Sequence, residues 1–140
     1  VLIKNLAMPN GIVFSPDGSR LYVADTGGHK RHPDPKYHDY PDTVTCYAVS
    51  KKGKLGKKLF TIDEGSDGMA VDVKGNLYLT HGQVQVYDAD GKKLETIEVP
   101  EKPANVCFGG KDYKTLFITA RSSLYQVRMN NAGAMSLRKK

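Results

Sequence analysis

The chain alternates short apolar runs with turn residues almost from end to end. "GIVF" leads through Pro16-Asp17-Gly18 to "RLYVAD", and "VQVYD" leads through Asp90-Gly91 to "KKLETIEV". Pro-Asp-Gly and Asp-Gly between two apolar runs are hairpin turns, because Gly takes the backbone angles that such turns demand. "TVTCYAVS", "KLFTI" and "SLYQVRM" read as further strands, rich in β-branched and aromatic residues. Apolar spacing of helical period is absent, so the pattern predicts an all-β chain.

The strands repeat. "PNGIVFSPDGSRLYVAD" from Pro9, "SDGMAVDVKGNLYLTH" from Ser66 and "PANVCFGGKDYKTLFITA" from Pro103 share one plan. Each has a short loop, a small-and-apolar strand, a Gly-bearing turn and a second strand, in which Leu21-Tyr22-Val23, Leu77-Tyr78-Leu79 and Leu116-Phe117-Ile118 are equivalent. Asn10 and Asp67 begin the first two units 57 residues apart, and Ala104 begins the third 37 residues later. The excess lies in "GGHKRHPDPKYHDYPD", a loop inserted into the first unit. Antiparallel four-stranded units repeating at about 40 residues are the pattern of β-propeller blades.

The expected organisation is therefore about three blades of a β-propeller. Residues 1–8 end a preceding blade, 9–65 form a blade with an inserted loop at 27–42, and 66–102 form a second. Residues 103–129 form an incomplete last blade, and 130–140 form a tail. Three blades do not close a ring, so an arc of three leaves an apolar face open at each end. Such a chain is expected to be part of a larger propeller, or to associate with itself through those faces.

Composition narrows the function. With 140 residues, 39% of them hydrophobic, and no apolar run of membrane-spanning length, the chain reads as one soluble domain. Its first residue is Val1, which leaves export and localisation open. The net charge of +6 invites a nucleic-acid reading. The lysines, however, sit in turns (Lys51, Lys52, Lys54, Lys57, Lys58, Lys92, Lys93), where they protect strand edges. They are not interleaved with aromatics as in a single-strand binder, so no nucleic-acid partner is expected. Cys46 and Cys107 lie in apolar strands without CxxC spacing and read as two buried small hydrophobes.

Taken in order, "PNGIVFSPDGSRLYVADTG", "SDGMAVDVKGNLYLTHG" with "VQVYDADGKKLETIEVP", and "ANVCFGGKDYKTLFITARSSLYQVRM" resemble the C-terminal half of one family. It is the gluconolactonase, senescence-marker-protein (regucalcin) and luciferin-regenerating-enzyme family. The resemblance runs from about Leu6 to Met129 and implies a partial arc of a six-bladed propeller. It also implies hydrolysis of lactones with a divalent metal in the central channel, calcium first and zinc, magnesium or manganese as alternatives.

In a propeller the first strand of each blade lines the axis, so loops leading into those strands meet at one end. Asn10 and Asp67 hold equivalent positions before two such strands. Taken alone, the residues favour Asx turns that shape the lead-in. The resemblance instead makes both metal ligands, Asn10 through Pro-Asn-Gly and Asp67 through Ser-Asp-Gly-Met, where Ser66 replaces the family's Pro. The family's third ligand, a Glu from the first blade, has no counterpart here. The implied chemistry has the metal polarise a lactone carbonyl and activate water, with Asp67 as general base.

Asn105 matches Gly11 and Gly68 in the repeat. It is expected to tolerate a left-handed backbone there, and secondarily to touch substrate. His81 ends a strand in the blade that carries Asp67 and is a further candidate for the channel wall. His29, His32 and His38 crowd the inserted loop with Asp34 and Asp39, which permits a zinc site. Two prolines and the lack of a holding strand favour a solvated loop, able to act as a lid over the channel mouth. Two further readings stay open: a non-enzymatic propeller that binds through its channel face, and a piece inactive without its other half.

Overall fold

The structure, a computed structural model, describes residues 1–28 and 32–138. Among the described residues there are eleven strands and no α-helix. The first sheet is built from β1 (Pro9–Phe14), β2 (Arg20–Asp25), β3 (Thr43–Val49) and β4 (Leu55–Ile62) in sequence order. The second is built the same way from β5 (Met69–Val71), β6 (Leu77–His81), β7 (Gln83–Tyr87) and β8 (Lys93–Ile97). The third has three strands, β9 (Pro103–Gly109), β10 (Thr115–Ala120) and β11 (Ser123–Arg128). Every pairing is antiparallel, as hairpin turns between consecutive strands require.

The sheets stack through the two faces of the middle one. Successive side chains of β6 point to opposite faces. Leu77 and Leu79 pack with Tyr22, Ala24 and Val44 of the first sheet, while Tyr78 packs with Phe108, Leu116 and Ile118 of the third. The Tyr78 and Phe108 rings meet edge to face, 5.1 Å between centroids. Burial and the neighbouring Asp72 carboxylate push the Tyr78 phenol well above its usual range.

This stacking brings the first strand of each sheet side by side, with β5 between β1 and β9. Pro9 pairs with Asp25, and Pro103 with Ala120. The starts of β1, β5 and β9 therefore share one end of the molecule with the segments that follow β2, β6 and β10. At the opposite end a short 3-10 helix, Ala134–Arg138, follows a crossing made by residues 131–133. There Asp72 pairs with Gly133, and the Val73 amide donates to the Ala132 carbonyl at 2.9 Å.

Asp72 holds this crossing together. The carboxylate is fully buried and accepts from the Lys74 and Asn76 amides, the Asn76 and Asn131 side chains and the Tyr78 hydroxyl. Five donors make a buried charge tolerable that would otherwise cost several kcal/mol. The segment is thus a structural strap rather than a loose tail.

The cysteines divide, against expectation. Cys46 is buried between the first two sheets, but Cys107 is exposed. Alternation along β9 is the reason: Val106 and Phe108 turn into the core, so Cys107 faces the other way. It lines a groove of about 250 Å³ with Phe14, Met69, Val71 and Met135.

Candidate metal and hydrolase site

The Asn10 side-chain nitrogen donates to Asp67 Oδ1 at 3.0 Å, across the first and second sheets. Both residues are exposed at the shared end. Local chemistry on each side brings them there. The buried Asp25 carboxylate accepts from the Ala7 amide at 2.8 Å and the Met8 amide at 2.6 Å, which pins the lead-in to β1. The Thr26 amide and hydroxyl both donate to the Met8 carbonyl.

On the second sheet two buried hydroxyls do the pinning. Ser66 Oγ donates to the Gly68 carbonyl at 2.7 Å and accepts from the Thr80 amide at 2.8 Å. Thr80 Oγ1 accepts from the Gly68 amide at 2.9 Å and lies 3.1 Å from the carbonyls of Gly68 and Ala104. Asp67 thus projects from a backbone fixed on both sides.

Asn105 belongs to the same mouth, for a different reason than expected. Gly11, Gly68 and Asn105 all lack a positive φ, so no left-handed backbone is at stake. The glycine at 68 serves close approach: a Cβ there would lie 2.0 Å from Asn105 Oδ1. Asn105 lies over the Asp67-Gly68 backbone, its Oδ1 also accepting from the Val106 amide at 2.8 Å.

His81 sits beyond Thr80 between two carboxylates. Its Nε2 is 3.5 Å from Asp42 Oδ2 and its Nδ1 is 3.7 Å from Glu64 Oε2. Glu64 also faces Lys93 at 3.6 Å. Burial, and then a hydrogen bond to Glu64, push the Tyr87 phenol well above its usual range. His81 therefore joins the end of the inserted loop to the second sheet.

The histidines of that loop turn inward. His32 Nδ1 accepts from the Asp34 amide at 2.9 Å, and His38 Nε2 lies 2.9 Å from the His32 carbonyl. The His32 ring meets Tyr37 edge-on, and Tyr37 meets Tyr40. Both imidazoles thus bond to backbone within the loop. His29 lies outside the described residues.

An amide oxygen and a carboxylate are hard donors of the kind that suit calcium or magnesium. Which end of the Asn10 amide faces Asp67 is interchangeable by a half-turn, so the pair fits part of an oxygen site. Among the described residues, no three His, Cys, Asp or Glu side chains are grouped to hold a metal. Sequence reasoning missed Ser66 as a positioning group and Thr80 altogether. Ser66, next to Asp67 in the chain, was the available signal for the first; the second left none, because its hydroxyl bonds to backbone atoms of Gly68 and Ala104.

Three antiparallel sheets stacked about aligned first strands define a propeller-type all-β protein. The chain matches the SMP-30/Gluconolactonase/LRE-like region over residues 1–122, and it belongs to that family. It is 31% identical over 125 residues to the 6-deoxy-6-sulfogluconolactonase of Pseudomonas putida, covering 86% of this chain and 40% of that protein. It is 31% identical over 135 residues to the gluconolactonase of Zymomonas mobilis, covering 91% of this chain and 36% of that one. The calcium-binding protein regucalcin of Agrobacterium tumefaciens superimposes with a TM-score of 0.75 at 25% identity, covering 94% of this chain and 49% of that one. The chain thus spans half or less of the length of each of these relatives.

Proposed function

We propose that this chain is a three-blade arc of a six-bladed propeller whose channel hydrolyses lactones. Residues 9–65, 66–102 and 103–129 are its blades. Asn10 and Asp67 are two of the oxygen ligands of a divalent metal, with calcium favoured by the regucalcin likeness and by the hard donors. The observation that carries the reading is the Asn10–Asp67 contact of 3.0 Å, made by residues 57 apart in the chain. The relatives named as gluconolactonases support lactones as the substrate class.

The chain's own residues have distinct tasks. Asp67, exposed at the mouth, takes a proton from water as the water oxygen bonds to the lactone carbonyl carbon. The ring acyl C–O bond then breaks, and Asp67 returns the proton to the departing alkoxide. Asn10 orients that carboxylate, and Asn105 presents an amide to the substrate's hydroxyls. The inserted loop, tethered through Asp42 and His81, borders the mouth and shapes substrate choice. A bound divalent metal supplies polarisation of the carbonyl and a more acidic water. Two protein donors make a weak site, so tight binding and turnover belong to the ring completed by further blades.

Calcium titration and acid release from a gluconolactone test the reading on this chain and on the longest chain that contains it. Asp67→Ala is expected to abolish turnover with an intact far-UV spectrum, and Asn10→Ala to weaken calcium binding more than folding. Retained turnover in Asp67→Ala overturns the base and ligand role; unchanged affinity in Asn10→Ala returns that residue to a turn.

A further inference from the structure

We infer that Thr80 is a positioning residue that sets Asp67 and Asn105 relative to each other across two sheets; its link to lactone hydrolysis rests on the reading above. Thr80 is 2% exposed and touches neither the mouth nor the groove at the opposite end. What its hydroxyl does follows from counting protons. A hydroxyl carries one proton and accepts through lone pairs. Thr80 Oγ1 accepts from the Gly68 amide at 2.9 Å and has two carbonyls, Gly68 and Ala104, each at 3.1 Å. The Gly68 carbonyl already receives the Ser66 hydroxyl at 2.7 Å, while the Thr80 amide donates to Ser66 Oγ at 2.8 Å and lies 3.3 Å from the same carbonyl. The Thr80 proton is therefore directed to the Ala104 carbonyl.

One hydroxyl thus spans from the amide after Asp67 to the carbonyl before Asn105. Ser66 occupies the competing acceptor with the shorter bond, which favours sending the Thr80 proton across the gap. The same gap is where Asn105 Oδ1 occupies the space a Cβ at Gly68 would need. At this point the bridge joins the second and third sheets beside the apolar packing of Val84, Val106 and Ala120. Losing the bridge leaves a buried amide and a carbonyl without their partner, and the nearest relief is a shift of the Asp67-Gly68 backbone.

Thr80→Val keeps the shape and removes the hydroxyl, while Thr80→Ser restores it. The reporters are the side-chain amide resonances of Asn10 and Asn105 in the 140-residue chain, which need neither metal nor substrate. In Thr80→Val both are expected to move, and in Thr80→Ser to return. Unmoved resonances in Thr80→Val overturn the inference. Should Thr80→Val not fold, hydrogen exchange of the unaltered chain decides. A slowly exchanging Gly68 amide, made fast in Thr80→Gly or Thr80→Ala but not in Thr80→Ser, supports the bridge, and a fast one in the unaltered chain overturns it.

Calcium titration adds the functional arm: outer groups that hold a ligand typically change metal affinity by about 10–100-fold, the loss expected in Thr80→Val with recovery in Thr80→Ser. Absence of calcium binding by the longest chain that contains this one overturns the proposed function, while the amide resonances of the 140-residue chain still decide the role of Thr80.

Discussion

At the scale of single residues, hydroxyls and carboxylates that bond to nearby backbone fix much of this molecule. Asp17 shows the energetic side of that habit. Its carboxylate accepts from the Ser15 hydroxyl and from the Ser19 amide and hydroxyl, which lowers its pKa from 3.8 to about 2. A depressed carboxylate stabilises the fold above its unfolded pKa, and that contribution vanishes as pH falls through the folded value. Asp17→Asn is therefore expected to lower the melting temperature at about pH 6 and to converge with the unaltered chain near about pH 2. Because the group is exposed, the effect at neutral pH is about 1 kcal/mol or less. The turn itself was legible, since Pro16-Asp17-Gly18 states its chemistry locally. The site was half legible: the repeat put Asn10 and Asp67 at equivalent positions. Thr80 was hidden because its partners, Gly68 and Ala104, are far from it in sequence and are backbone atoms, which leave no mark in residue identity.

Among the elements, the inserted loop departs furthest from the strand pattern. It is closed by the Gly28 amide donating to the Tyr40 carbonyl at 2.9 Å. A side chain at Gly28 has no room, since its Cβ would fall 0.9 Å from the Tyr37 carbonyl oxygen. Gly28→Ala is expected to open the loop and speed thermolysin cleavage between residues 28 and 42, with the far-UV spectrum of the sheets unchanged. Cleavage at the unaltered rate overturns this closure. Strand pattern alone could not show it, because the loop is held by carbonyls and ring edges rather than by a periodic apolar face. The strap at 130–138 escaped for a similar reason: these residues read as a tail until Asp72 is placed beside Asn131 and Gly133.

For the whole molecule, the middle sheet carries both interfaces. Leu79 faces the first sheet and Tyr78 the third, so each truncation removes packing from a different cluster. Leu79→Ala is expected to cost about 2–5 kcal/mol and Tyr78→Ala a similar amount. In urea each variant should still unfold in one transition, because neither outer sheet has two covered faces of its own. Separate transitions would show that the sheets fold independently. The repeat of strands was legible, since "LYV", "LYL" and "LFI" mark equivalent positions in three units. Which neighbour each face meets depends on sheet order and needs coordinates. Asp72 finally imposes a timetable. Its fifth donor, Asn131, lies 59 residues later in the chain, so a ribosome that has released only the middle sheet leaves that carboxylate short of a partner. The strap is then a stitch that waits for a distant stretch of chain, and truncations ending before Asn131 should linger on chaperones even though the eleven described strands have been made.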